Sequence, residues 1–444
     1  MTYTNSGAET ANFRPRNICL AGAYRKCLEW LACTAFLSFC FPYLTPVRSS
    51  TDLQPYSLFL AVALLVLAAA KPGLNVKIVK SLALLFVPAA YSLLISMAYA
   101  GFELRSVAGY FCLAIYGCAG YTIAKERLVG PKLIYWAIAV WGIAAILETV
   151  VSGKLFSFIL PRVSTTAGRG VVGLAPEPFH YGATILLLFI LLRLLYLKGL
   201  VSRNCYLWCF IGIIAQVLFL AKSATIALFF VVYGGLEAIF PVTVKKIALA
   251  SVLITSMYFL IISIHGEMSD IRIVAIAKAL IDDPRLLLLG DASVNDRVTH
   301  VVVSLYGFWT SLPFAFGHGT TAWGTFLQQT LFNHFPSLSE ASQGNRIMSG
   351  YGACLFELGY IGLMIPAVQI FSFSMQKEKG MVVLGIFLAI CMFHIVPIAH
   401  PLFGFILGTS ECLRRTCAQT GQYSERSATE LRLPAAFVAP SQSI

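Results

Sequence analysis

Gly168-Arg169-Gly170-Val171-Val172-Gly173-Leu174-Ala175-Pro176-Glu177-Pro178-Phe179-His180-Tyr181-Gly182-Ala183-Thr184-Ile185-Leu186-Leu187-Leu188-Phe189-Ile190-Leu191-Leu192 passes from a glycine-rich, charged segment into an uninterrupted apolar one. No Asp, Glu, Lys or Arg occurs from Pro178 to Leu192. Such a run reads as a membrane helix beginning at the proline pair, since proline is tolerated in a first turn and a spanning helix needs about 20 apolar residues. The mouth of that helix carries Arg169, Glu177 and His180, and ionisable groups at such depth are costly enough to suggest function.

The rest of the chain has the same character. Of its 444 residues, 58% are hydrophobic and 12% charged, against about 25% charged in soluble domains. Apolar runs centre on Leu37, Val62, Leu85, Cys112, Ile138, Leu187, Ile213, Phe229, Leu253 and Leu363. The stretch from Gly380 to Thr409 is too long for one span and turns at His394-Ile395-Val396-Pro397, so it reads as a hairpin. The expectation is an all-α integral membrane protein of about twelve transmembrane helices.

The net charge of +12 would point to nucleic acid in a soluble protein, but here it follows topology. With the N-terminus inside, Arg14, Arg16, Arg25, Lys26, Lys71, Lys77, Lys80, Lys125, Arg127 and Lys132 are cytoplasmic, and in all 21 of the 32 Lys and Arg are. Short cytoplasmic loops rich in Lys and Arg are the positive-inside pattern, and no nucleic-acid partner is expected. No cleavable signal peptide is expected, because the first apolar run follows a basic, polar segment. The 12 cysteines avoid the largest outer loop, which argues against a disulfide framework.

The expected organisation is a cytoplasmic tail without fold over 1–20 and a bundle of about nine spans over 21–264. An outer loop follows over 265–348, then the last spans over 349–417 and a second tail over 418–444. Inside the loop, Ile271, Ile273, Ile276 and Leu280 form a helical stripe. Asn295-Asp296 would cap a helix from Arg297 to Trp309. The turn Leu312-Pro313-Phe314-Ala315-Phe316-Gly317-His318-Gly319 follows, its glycines allowing close approach to a ligand.

Arg169, Arg297 and Arg346 thus come to the outer side, with Arg162 and Lys222 as further cations. Guanidinium groups suit phosphate because they bind two oxygens at once and stay charged; each of these side chains would otherwise snorkel to headgroups. Glu177 is either a helix cap favoured by the helix dipole, or a carboxylate that accepts a proton from a sugar hydroxyl or orients an arginine. His180 shares its helix face and is either an interface histidine or part of a hydrogen-bond network. His318 is either an exposed turn residue or a ligand-facing one. No spacing of His with carboxylates indicates a metal, and no phosphate loop or dinucleotide fingerprint is present.

Three segments together resemble the bacterial O-antigen polymerases and O-antigen ligases, multi-span glycosyltransferases. They are Arg169 through Ala183; Asp296-Arg297 with its helix and the Pro313 to Gly319 turn; and Ser349-Gly350-Tyr351-Gly352-Ala353-Cys354-Leu355-Phe356-Glu357-Leu358-Gly359-Tyr360-Ile361-Gly362-Leu363, like that family's Glu-Leu-Gly-x-x-Gly span. A ligase histidine is missing where Met348 and Ser349 stand, which favours the polymerases. The resemblance implies a GT-C-like architecture in a bacterial inner membrane, with both termini cytoplasmic and the active site periplasmic. It also implies metal-independent, cofactor-free transfer between undecaprenyl-diphosphate-linked oligosaccharides in the lipid bilayer, with a chain-length regulator as a further partner. Catalytic roles would fall to Glu177, Arg169, Arg297 and His318, and substrate binding to Arg346, His180, Arg162 and Lys222. A flippase or other transporter is the non-enzymatic alternative.

Overall fold

The computed structural model describes residues 15–45, 53–70, 80–98, 104–152, 155–163, 170–243, 245–246, 292–312, 316–336, 338, 347–375, 378–394 and 397–430. Every regular element among them is helical. In chain order these are α1 (Pro15–Cys40), α2 (Tyr56–Ala69), α3 (Lys80–Ala83), α4 (Phe86–Ala98), α5 (Leu104–Glu126), α6 (Lys132–Val150), α7 (Pro178–Leu197), α8 (Arg203–Ala215) and α9 (Ala224–Ile239). After the outer loop's first part come α10 (Ala292–Thr310), α11 (Trp323–Asn333), α12 (Gly350–Leu358), α13 (Met364–Ser374), α14 (Lys379–His394) and α15 (Pro401–Glu430). Among the described residues six helices are long and apolar enough to cross a membrane, and three more are apolar but shorter. The span centred on Leu253, the stripe from Ile271 to Leu280, Arg169 and Arg346 lie outside the described residues.

The exposed faces tell which solvent each helix meets. On α6 the outward residues are Trp136, Val140, Ile143, Ile146, Leu147 and Val150, a surface suited to lipid. On α11 they are Thr325, Gln328, Gln329 and Asn333 with one large apolar residue, Phe332, a mainly polar surface. The loop helix α11 instead turns Trp323 and Leu327 inward, onto a small core with Val303 and Phe356.

Helix α7, apolar all round, is buried along nearly its whole length, as a helix without a polar face must be. Its first turn is therefore enclosed by neighbouring parts of the bundle. The closest helix pair is α5 with α15. A Cβ on Gly408 would stand 1.9 Å from the Gly117 carbonyl oxygen, and one on Gly120 2.5 Å from that of Phe405. Backbones meet through small residues here, the usual solution where lipid offers no hydrophobic drive between helices.

Beneath the mouth of α7 an aromatic column ties four elements. Trp141 of α6 stacks between Phe41 and Tyr181, with ring centroids at 5.7 and 5.4 Å, and its Nε1 donates to the Cys40 carbonyl at 3.0 Å. The Tyr181 hydroxyl donates to Gln216 Oε1 at 2.9 Å, and Gln216 Nε2 donates to the Ile138 carbonyl at 3.2 Å. Gln216 opens a π-helical turn, Gln216–Ala221, between α8 and α9. Wide turns of this kind recur at functional sites.

Three expectations are corrected. The loop helix α10 begins by Ala292, so Asn295 and Asp296 lie inside it; Asn295 Oδ1 accepts from Thr299 Oγ1 at 3.1 Å rather than capping. Helix α15 continues to Glu430, into the stretch expected to carry no fold, because Ala, Gln, Glu and Arg there favour helix. Likewise α1 starts at Pro15, within the expected tail. A break between helices falls where the sequence places the turn, α14 ending at His394 and α15 beginning at Pro401.

Candidate functional site

Pro176 and Pro178 restrict the chain on either side of Glu177, which is extended at φ −147°, ψ 152°. Its carboxylate makes no capping hydrogen bond to α7. It turns instead to Arg162, whose Nη1 lies 3.0 Å from Oε1. The other oxygen, Oε2, lies 3.8 Å from His180 Nδ1, one helical turn on. Glu177 is thus the N-cap of α7 by position, and its side chain is the middle member of an arginine, carboxylate and imidazole series.

Each member is placed by a different part of the fold. The segment before Arg162 is pinned to the end of α1, where the Thr45 amide and hydroxyl both donate to the Ile159 carbonyl at 2.8 and 2.9 Å. The loop leading to Glu177 is held from two sides. The buried Glu148 of α6 accepts from the Gly173 amide, and the Val171 amide donates to the Leu220 carbonyl at 3.0 Å. Gly170 is required at this second contact, since a Cβ there would stand 2.1 Å from the Ala221 carbonyl oxygen. This fixes residues 170–177 against the π-helical turn. Lys222, in the left-handed conformation at φ 46°, ends that turn with its side chain exposed at the same end of the bundle.

The outer loop reaches the site through Arg297. Its guanidinium carbon stands 3.9 Å from the centroid of the Phe179 ring, close enough for a cation–π contact, and its Nη1 donates to Thr225 Oγ1 at 2.6 Å. The first turns of α10 therefore lie against the N-terminal ends of α7 and α9. Behind His180 stand two buried rings. Tyr43 meets His180 edge-on at 5.5 Å and His400 at 6.3 Å. His400, in the turn before α15, is 1% exposed, and neither of its ring nitrogens has a hydrogen-bond partner among the described residues. Burial, with a smaller contribution from nearby His180, pushes its pKa down to about 3, so it is neutral at physiological pH.

Arg162, Glu177, His180, Lys222 and Arg297 thus gather at the end of the bundle where α7 and α9 begin. His318 is built into another place. Its ring stacks on Phe356 at 4.6 Å, its Nε2 pairs with the Gly307 carbonyl at 3.1 Å, and its amide donates to the Phe356 carbonyl at 2.9 Å. These contacts tie the Gly317 to Gly319 turn to α12, and none of the described contacts joins His318 to Glu177. Sequence reasoning did not anticipate Tyr43, Phe179, Thr225 and His400, because single aromatic, hydroxyl and imidazole residues carry no spacing signal. It ranked Arg162 below Arg169 as a partner for Glu177, since a distance of 15 positions along an irregular segment predicts no contact.

The arrangement offers two chemical environments side by side: fixed cations from three segments, suited to an anion, and a carboxylate with an imidazole, suited to moving a proton. No family sequence profile matches the chain, and no curated protein matches it.

Proposed function

We propose that the protein is a metal-independent glycosyltransferase of the bacterial inner membrane, a polymerase of surface polysaccharide. It joins undecaprenyl-diphosphate-linked oligosaccharide repeat units on the periplasmic face. In this reading the bundle has about twelve spans in a GT-C-like arrangement, with both termini in the cytoplasm. A chain-length regulator is a further partner.

One observation carries the proposal: the meeting of Arg162, Glu177, His180 and Arg297 at the mouth of α7. The reaction breaks the bond between an anomeric carbon and a diphosphate oxygen, so negative charge grows on the leaving diphosphate. Fixed guanidinium groups stabilise such charge best when they are already in place. Arg297 and Arg162 supply two, Lys222 a weaker third, and Arg169 and Arg346 are assigned to the same task from their sequence positions. His318 takes a supporting part, holding the loop turn to α12. Helix α10 brings Arg297 to the site, which a transporter with a midplane binding site does not require.

The test is deletion of the gene in its host, with the surface polysaccharide resolved on a gel. The expected result is loss of long chains while a single repeat unit remains attached to its anchor. Complete absence of polysaccharide from the anchor would instead identify a ligase or flippase. Complementation with Arg297→Lys, which keeps the charge but loses the planar fork, is expected to leave chains short.

A further inference from the structure

The two oxygens of Glu177 are already directed at protein groups: Oε1 at the Arg162 guanidinium, 3.0 Å away, and Oε2 at His180 Nδ1, 3.8 Å away. A carboxylate placed this way is poorly disposed to receive an incoming hydroxyl. It is well disposed to orient an imidazole. With Nδ1–H directed at the carboxylate, the lone pair of the neutral ring lies on Nε2.

We propose that His180 is the general base of the transfer, oriented by Glu177, while Arg162 positions Glu177. The inference rests on the polymerase reading for its substrate and on the geometry alone for its orientation. The acceptor sugar's hydroxyl gives its proton to His180 Nε2, and its oxygen forms the new bond to the donor's anomeric carbon. The bond from that carbon to the diphosphate breaks, and its electron pair leaves with the diphosphate. The imidazolium then returns its proton to solvent, which completes the balance. The 3.8 Å between Nδ1 and Oε2 is about 1 Å beyond a hydrogen bond, and contacts of this kind tighten when substrate closes a site.

The surroundings suit the role. His180 is part-exposed, at 23% of its side chain, so a hydroxyl can reach it. Among the described residues, the groups facing it include Glu177, which carries Arg162, then Tyr43 following α1 and His400 from the turn before α15. Phe179 stands beside it and carries Arg297 on its ring, and His394 at the end of α14 lies near Arg297. Because His400 stays uncharged, it places no second positive charge against the imidazolium.

The test has two arms on the full chain in lipid nanodiscs. In the first, histidine is labelled with 15N and the His180 signal is assigned by its loss in His180→Gln. The expected neutral form carries its proton on Nδ1, and Glu177→Gln shifts the balance toward Nε2. A neutral form protonated on Nε2, or no response to Glu177→Gln, overturns the orientation. In the second arm, lipid-linked repeat units are supplied between pH 5 and 9 and polymer is measured. His180→Gln should lower the rate on the order of 10²-fold or more and lose the acidic fall of the profile. Glu177→Gln should keep that fall but move it to lower pH, because the imidazolium has lost its counter-charge. If His180→Gln keeps the acidic fall and Glu177→Gln loses it, Glu177 is the base and the proposal is overturned.

Added imidazole should restore part of the rate to His180→Gly, a rescue that a purely structural loss would not give. His180→Asn, with an unfolding temperature near that of the unaltered protein, repeats the measurement should His180→Gln fail to fold. If the unaltered protein forms no polymer, the polymerase reading fails, and the labelling arm still decides the orientation.

Discussion

Arg162, on an irregular segment, and Glu177, at the end of a loop, meet at 3.0 Å although 15 positions separate them. Their pairing gives the residue-scale prediction closest to function. Arg162→Ala should release Glu177 from its place and shorten the polysaccharide chains, while Arg162→Lys should retain part of the length by keeping the charge. Gel analysis of complemented cells checks both, with immunoblotting to show normal protein levels.

His400 gives a prediction of a different kind. Its pKa of about 3 in the fold lies below the ordinary value of about 6.5 in the unfolded chain. The unfolded state therefore binds a proton first as pH falls. The stability that depends on a neutral His400 is complete above pH about 6.5 and is lost progressively toward the folded value. Between pH 6.5 and 5 the loss should be about 2 kcal/mol. His400→Phe, which fills the same space without a titrating group, should flatten this part of the stability profile. Unfolding temperatures in detergent across that pH range would show an unchanged slope if the assignment is wrong.

Among the elements, α5 and α15 make the least tolerant contact. Gly408 has no room for a side chain, its Cβ falling 1.9 Å from a backbone oxygen of α5. Gly408→Val must push the helices apart, at about 1–3 kcal/mol or more for overpacking of this kind. Lower yield and a lower unfolding temperature are the expected readouts, whereas Gly212→Ala, where nothing stands within 4 Å, should be neutral.

The loop helix α10 is anchored more lightly. Phe179→Leu removes the ring beneath Arg297, a contact worth about 0.5–2 kcal/mol, without removing the apolar bulk. Faster proteolysis of the outer loop is the expected result, and unchanged cleavage would show that the anchor lies elsewhere. Gly317 shows why the neighbouring turn is legible as a glycine turn but not as a docking point. Its φ of +91° is a backbone demand visible in the choice of residue, yet the partner, the Glu357 carbonyl 2.3 Å from where a Cβ would be, belongs to another helix.

For the molecule as a whole, the topology proposed from the basic loops can be tested through its cysteines. Cys27 and Cys205 are exposed, the first beside Arg25 and Lys26 in the middle of α1 and the second in the first turn of α8, which begins at Arg203. A membrane-impermeant thiol reagent should label them in inverted vesicles and not in intact spheroplasts. A cysteine at Gln329, on the polar face of α11, should show the opposite pattern. Labelling of Gln329→Cys only from the cytoplasmic side would invert the topology and remove the site from the periplasm.

The helical, membrane-suited character of the chain was legible because an apolar chain must satisfy its backbone hydrogen bonds internally, and each stretch of suitable length does so on its own. Pro178 at the first turn of α7, the turn near His394 to Pro397 and the polar helices of the outer loop follow from such local rules. The ends of α10 and α15 were not legible, because a cap residue and a weak helix former leave the same composition on either side of a boundary. Within the site, the sequence by itself determined that Glu177 and His180 share one helix mouth, since helical periodicity places them one turn apart. Only the tertiary structure decided that Arg162 is Glu177's partner, that Arg297 rests on Phe179 and Thr225, and that His318 belongs to the loop's own core. Those contacts depend on how irregular segments are pinned, by Glu148, Thr45 and the π-helical turn, and periodicity carries no information about such paths.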